Sequence, residues 1–516
     1  MFEPIEADVL RDWLFDDAEL ALIDVREAGQ SVLGHILFSA PAPYSRFEIE
    51  LPRLVPNPRV RLVLGDEGDG MAGQAAAAAA DLGYTRVFCL AGGVDAWRAA
   101  GHTLYSGVNV PSKAFGELVE QAEDTPRMTA SDVASLASSS ADCVVVDGRP
   151  LDEFSRMNIP GARCCPNGEL ALRIGTLAPD PATTIVVNCA GRTRSIIGAQ
   201  TLLDLGVPNP VFALENGTQG WVLAGMELER GANGELPDAD IDLEAARGRA
   251  EAMADRFGVK SLSSDAATEI CSDEGITVFF LDVRTEQERS LDSAERRSTF
   301  ERLNVAHAPG GQLVQATDQW IGVRRARLIV LDDEAVRAPV TAAWLRRLGH
   351  IADTLYGGID ALGEIERTTR VSGPVLPAIS PVAPAQLNAS LSDSQHNVLD
   401  LRPSQDYREG HVPGALWTIR PRPPALDTNV PVTLVADDPE VAGLVALDLQ
   451  RRGVEEITLL EGGISGWIAA GYSREVTPDL PGDPERIDFL SFTHGRHHGN
   501  LEASRQYLAW ELALVD

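Results

Sequence analysis

Along the chain, short uninterrupted apolar runs alternate with longer stretches whose apolar residues recur at helical spacing. Four of the runs end in the same triplet, Asp-x-Arg. They are "ALIDVRE" (Asp24, Arg26), "VVVDGRP" (Asp147, Arg149), "FFLDVRT" (Asp282, Arg284) and "NVLDLRP" (Asp400, Arg402). Runs without polar alternation predict strands covered on both faces, as in a parallel sheet. Each is followed by a turn related to "GHVPGA" and then a second apolar run: "RLVLGD", "IVVNC", "LIVLDD" or "TLVADD". A helix ending in glycine, a third run and a glycine-rich turn into one more helix close each copy. Glycine just beyond a helix supplies the left-handed cap that ends it. The four aspartates lie roughly 120–135 residues apart, the size of a small domain. The pattern predicts an α/β chain of four tandem modules, each a small parallel sheet flanked by helices on both faces.

The expected modules span 1–105, 126–232, 261–370 and 381–476. Between them, 106–125 is expected as a linker, 233–260 as a charged helical spacer, and the proline-rich 371–384 as extended chain. The last stretch, 477–516, opens on turns and ends in an amphipathic helix, with Leu501, Tyr507, Leu508 and Leu512 expected to dock on a module.

Charge changes the picture next. With 44 Lys and Arg against 76 Asp and Glu, the formal net charge is −32. Such a surface repels nucleic acid and anionic membranes, so neither is an expected partner. A site that uses a small anion needs its own local positive potential. Six cysteines in 516 residues, with no C-x-x-C pair, make neither a disulfide framework nor a zinc site. They suit a reducing compartment. The N-terminus has no basic, apolar leader and no apolar run is long enough to span a bilayer, so the expected location is the cytoplasm.

One loop stands out against this acidity. The second run of the second module continues as Cys189-Ala190-Gly191-Arg192-Thr193-Arg194-Ser195, with a helix expected from about Ile196. A thiol above a helix N-terminus and beside two arginines meets the conditions that lower its pKa from about 8.5 into the range of about 3.5–7.5. Cys189 is the expected nucleophile. Ala190 to Ser195 are the expected substrate-binding residues, with Arg192 and Arg194 holding an anionic group. Aligning the second runs puts Asp66, Asp333 and Asp438 opposite Cys189. A carboxylate cannot carry a transferable sulfur, so three modules are expected to be inert.

Asp-x-Arg after a first strand, a "GHVPGA"-like turn, a strand ending in a loop cysteine and a closing Gly-Gly-x-x-x-Trp turn together resemble the rhodanese (sulfurtransferase) module, repeated four times. The third copy departs most, with Ala361 where the tryptophan would sit, and the second has Met157 and Asn158 where Gly-His is usual. The resemblance implies transfer of sulfane sulfur from thiosulfate or a similar anionic donor to a thiol or cyanide acceptor through a Cys189 persulfide, with no cofactor and no metal. It also implies that copies without the cysteine are silent. Cys-x5-Arg phosphatases likewise place cysteine between strand and helix, but they need arginine at 195, and position 195 is serine. Phosphatase or arsenate reductase activity is the weaker alternative. A persulfide-carrying scaffold, whose silent modules recruit a partner, is the other.

Asp147 and Arg149 are expected to be structural. Cys164 and Cys165 follow the turn of the same module, where local packing outweighs a resolving role. Cys89, Cys143 and Cys271 sit in apolar segments and are expected in the core. His494, His497 and His498 in "THGRHHGN" are expected to be polar surface rather than a metal site.

Overall fold

The computed structural model describes every residue except 1, 140–141, 235, 237–240, 368–370, 392–395, 492, 498 and 516. Four sheets follow one another along the chain, each with the same strand order. In the second, Arg127–Met128 lies at the edge, followed by the closing strand Val211–Leu214, the central Thr184–Asn188, the Asp-x-Arg strand Cys143–Asp147 and the short Arg163–Cys164. All pairings within a module are parallel. The crossovers between such strands need helices, and the helices cover both faces. The central strand, "TIVVN", is β-branched and buried on both sides beyond its first residue, as its unbroken apolar run predicts.

The Asp-x-Arg triplet is a staple. In all four copies the arginine backbone N–H and Nε donate to one carboxylate oxygen of the aspartate two residues earlier, and Nη2 donates to the other. In three copies Nη2 also reaches a carbonyl eight residues on, at Gly34, Met157 and Gly410. In the third copy Asp292 takes that place. The triplet thus ties the first strand to the turn that follows it. The closing helix is fixed in a comparable way. Trp97, Trp221 and Trp467 are buried, and each indole N–H donates to the carbonyl six residues later. The third module has Ala361 there, and its closing segment, Gly358–Glu364, is a 3₁₀ turn rather than an α-helix.

Strand register corrects the alignment of the loop cysteine. Asp24, Asp147, Asp282 and Asp400 pair with Gly65, Asn188, Leu331 and Val435, so the residues that follow the central strands are Asp66, Cys189, Asp332 and Ala436. A glycine in each closing turn packs on the carbonyl of that residue. A Cβ at Gly93, Gly217, Gly358 or Gly463 would stand 2.4, 2.2, 2.3 or 3.3 Å from the carbonyl oxygen of Asp66, Cys189, Asp332 or Ala436. Cys189 is therefore matched by Asp332 rather than Asp333, and by Ala436 rather than Asp438.

The modules are not independent beads. Val323–Arg324, from the third module, adds an antiparallel strand to the first sheet, pairing with Leu20 and Ala21. One core runs through the first and third modules and another through the second and third. The expected linker 106–125 is in fact a helix, Val110–Glu123, packed against Thr193–Asp204, the helix behind Cys189. Gly116 lets them close up, since a Cβ there would meet the Thr193 side chain at 2.8 Å. The spacer carries the expected helix, Leu243–Arg256. The C-terminal helix, Leu501–Leu512, docks through Ala503, Ser504, Tyr507, Leu508 and Glu511, whereas Leu501 and Leu512 are exposed. Among the described residues no helix is long and apolar enough to cross a membrane.

Trp344 joins the second and third modules. It is buried, donates to Thr201 Oγ1 at 2.9 Å and meets the Phe115 ring edge-on. Trp344→Ala should cost about 3–5 kcal/mol, measured by urea unfolding, and should loosen the contact on which the Cys189 helix rests.

Candidate active site

Cys189 follows the central strand of the second module and is 2% exposed. The helix behind it begins at Thr193, three residues earlier than expected, so the loop proper is short. The loop carbonyls are turned toward the closing turn: Cys189 accepts from Thr218 N at 2.8 Å, and Ala190 from Gln219 N and Nε2. Gly217, at φ +55°, makes this possible, because any side chain would strike the Cys189 carbonyl. With the carbonyls directed away, the first-turn N–H groups at Thr193, Arg194 and Ser195 are left without helical partners. On the thiol itself, Ser195 Oγ donates to Cys189 Sγ at 3.1 Å.

The other modules show what such a loop accepts. Asp66 takes hydrogen bonds from the N–H of Gly68, Gly70 and Ala72 at 2.8–3.1 Å. Asp332 takes them from Ala335, Val336 and Ala338 at 2.8–3.1 Å. In both, a carboxylate at the strand end fills a nest of backbone amides. In the fourth module Ala436 has nothing to offer, and Asp438 instead caps the helix at Glu440 N and pairs with Arg46 of the first module at 2.7 Å. Counted from Cys189 as in the first module, the nest amides are those of Gly191, Thr193 and Ser195. Among the described residues no side chain accepts from them.

Around this loop lies a pocket of 510 Å³. Four parts of the chain line it: the second module (Arg149, Glu153, Cys189 to Arg194), the helix before it (Lys113), the third module (Gln312, Gln315, Gln319) and the C-terminal segment (Arg496, His497, Tyr507, Glu511). The last three contributions lay outside the sequence expectation. The signal that existed was in "SKAFGELVEQ", where Lys113 and Glu117 share a face of an otherwise amphipathic stretch. Glu511 is 1% exposed and accepts from Thr193 Oγ1 at 2.7 Å, while Lys113 Nζ lies 3.7 Å from it and donates to the Tyr507 hydroxyl.

Both loop arginines are committed to carboxylates. Arg192 pairs with Glu117 at 2.8 and 2.9 Å and also with Glu120. Arg194 makes two 2.8 Å bonds to Glu153. These two cations, expected to hold a substrate anion, thus have their charge largely offset within the protein. Thr193 and Ser195 do bring their hydroxyls to the site, on Glu511 and on Cys189. Cys164 and Cys165 are buried away from the pocket. Burial pushes the Cys164 thiol up to about 12 and the Cys165 thiol well above its ordinary value, so neither is a ready thiolate. His494 packs on Phe489, His497 lines the pocket rather than the open surface, and His498 lies outside the described residues.

The family model for the rhodanese-like domain matches residues 6–100, 129–224 and 383–470. The chain belongs to the rhodanese family. The third module, the divergent one, is outside the matched residues yet has the same sheet order. Among solved structures, a thiosulfate sulfurtransferase from Pseudomonas aeruginosa is 39% identical over 100% of this chain and 97% of its own, with a TM-score of 0.89. Shorter rhodanese-sized matches include a Lactobacillus plantarum protein, 30% identical over 20% of this chain and 87% of its own (TM-score 0.18). A Bacillus halodurans protein is 21% identical over 22% and 85% (TM-score 0.19). The Pseudomonas match is thus to the whole four-module rhodanese, tail included.

Burial opposes ionisation of Glu153, but the hydrogen bonds and charge of Arg194 outweigh it and hold the carboxyl below its ordinary value of 4.5. A depressed folded pKa means that the pair stabilises the protein fully above 4.5 and that this contribution is lost as pH falls through the lower folded value. Glu153→Gln should cost about 1.5–3 kcal/mol at neutral pH. Urea unfolding at graded pH should show the gap to the unaltered protein shrinking as pH drops below 4.5.

Proposed function

We propose that the protein is a sulfurtransferase that moves sulfane sulfur from thiosulfate, or a donor like it, to a thiol or cyanide through a persulfide on Cys189. The carrying observation is the amide nest. In the first and third modules the protein's own aspartate occupies it; at Cys189 the corresponding N–H groups, counted as in the first module, are those of Gly191, Thr193 and Ser195, which have no side-chain acceptor among the described residues, and the thiol lines a pocket. An anion formed one bond beyond Sγ is what such a nest suits.

The reaction is a double displacement. Cys189 thiolate attacks the outer sulfur of thiosulfate, the sulfur–sulfur bond breaks, and sulfite leaves with its electron pair. The charge on the Cys189 persulfide falls to the nest amides. An acceptor thiolate or cyanide then attacks the outer sulfur and returns Cys189 as thiolate. Ser195, already on Sγ, stabilises that thiolate in both half-reactions. Arg192 and Arg194 act as positioning residues through Glu117, Glu120 and Glu153. The first, third and fourth modules, with Asp66, Asp332 and Ala436 at the strand end, carry no sulfur.

Thiosulfate:cyanide turnover should vanish in Cys189→Ser, and donor-treated protein should be one sulfur atom heavier by intact mass spectrometry only when Cys189 is present. Ser195→Ala should lower kcat about ten- to a hundredfold. Hydrolysis of an aryl phosphate through Cys189, without sulfur loading, would overturn the assignment. Loading without turnover would point to a sulfur-carrying scaffold.

A further inference from the structure

The positive charge of the Cys189 pocket is unevenly matched. Arg149 is held by Asp147, Arg156 by Asp152, Arg192 by Glu117 and Glu120, and Arg194 by Glu153, while Lys113 lies beside Glu511. Two pocket arginines, Arg230 and Arg496, have no carboxylate within ion-pair distance among the described residues. Arg230 is exposed at the rim, with its guanidinium 3.5 Å from the Arg156 carbonyl. Arg496 is half-buried, and its guanidinium is held in place on both sides. It lies over the Tyr507 ring at 4.5 Å, and Nη1 donates to Thr493 Oγ1 at 3.1 Å. Its Nε is buried without an acceptor. A buried, charged donor with no partner is costly unless a ligand meets it. In a chain of net charge −32, an oriented and unmatched guanidinium in the nucleophile's own pocket is a selective anion contact.

We propose that Arg496, delivered by the C-terminal segment, binds the sulfonate end of the donor and offsets the charge of the leaving sulfite, with Arg230 assisting at the rim. The tail is then part of the active site rather than a brace: its helix, through Tyr507, positions Arg496, and its Glu511 anchors it to the Cys189 loop at Thr193. This rests on the sulfurtransferase assignment and adds to it the group that selects a doubly charged donor.

The test compares two sulfane donors, thiosulfate (a dianion) and methanethiosulfonate (a monoanion), which leave as sulfite and methanesulfinate after the same attack by Cys189. In Arg496→Gln, kcat/KM with thiosulfate should fall about ten- to a hundredfold, mainly through KM. It should fall less with methanethiosulfonate, and Arg496→Lys should restore most of the thiosulfate loss. No loss, or equal losses with both donors, would overturn the proposal, because a merely structural arginine does not sense donor charge. If the unaltered protein loads sulfur on Cys189 from neither donor, the sulfurtransferase assignment itself fails and the role of Arg496 goes with it.

Discussion

The buried Asp147–Arg149 pair sets where everything else in the second module can be. Asp147 is fully buried and accepts from the Arg149 backbone N–H and Nε on one oxygen, and from Arg149 Nη2 and Asn188 Nδ2 on the other. Asn188 is the last residue of the central strand, so this one carboxylate fixes the strand end from which Cys189 departs. Arg149 Nη2 carries the same constraint to the Met157 carbonyl and so to the turn that bounds the pocket. A buried pair of this kind gives little net stability, because desolvation offsets the attraction, but losing one partner strands the other at a cost of about 3–5 kcal/mol. Its value is geometric. The same staple recurs in all four modules, and in each the aspartate pairs with the last residue of the central strand even where the loops have diverged.

On that common frame the modules differ in the side chain that follows the central strand. At the strand end an aspartate folds back into the amide nest and satisfies it, which makes the first and third loops internally complete. With cysteine there, the corresponding N–H groups have no side-chain acceptor among the described residues. An aspartate at the strand end in the first and third modules thus brings a gain in local satisfaction: three loop N–H groups acquire a permanent acceptor. The third module also serves as a wall of the pocket. It supplies Gln312, Gln315 and Gln319 to the pocket and, through Trp344, a face for the Cys189 helix.

The modular fold was legible because each element announces itself locally: apolar runs of one strand's length, Asp-x-Arg at their ends, and glycine at each helix stop. The same local signals single out the Cys189 loop as the candidate and mark the third module as divergent. What stayed hidden was set by register and by distance along the chain. Asp333 and Asp332 are adjacent in an acidic loop, and only strand pairing with Asp282 decides between them. The helix Val110–Glu123 passed for a linker because it lies between modules, although Val110 and Val119 mark its buried face. The ion pairs of Arg192 and Arg194 are hidden for a related reason. Their partners, Glu117, Glu120 and Glu153, are some 40 to 75 residues away in sequence, so a loop that looks strongly cationic on paper is close to neutral when folded.

That near-neutrality has a functional logic. An arginine held by a bidentate carboxylate is a rigid strut and a poor receptor, because a substrate anion would have to displace a partner already at hydrogen-bond distance. A chain this acidic needs struts to keep a loop of unsatisfied amides from collapsing, and it needs at least one cation left unmatched to admit an anion. The two requirements cannot be met by the same guanidinium. Placing the struts on the loop and the unmatched cation on the C-terminal segment separates them. Glu511, more than 300 positions from Cys189, packs directly against its loop at Thr193, and Arg496 lies across the Tyr507 ring of the same C-terminal segment.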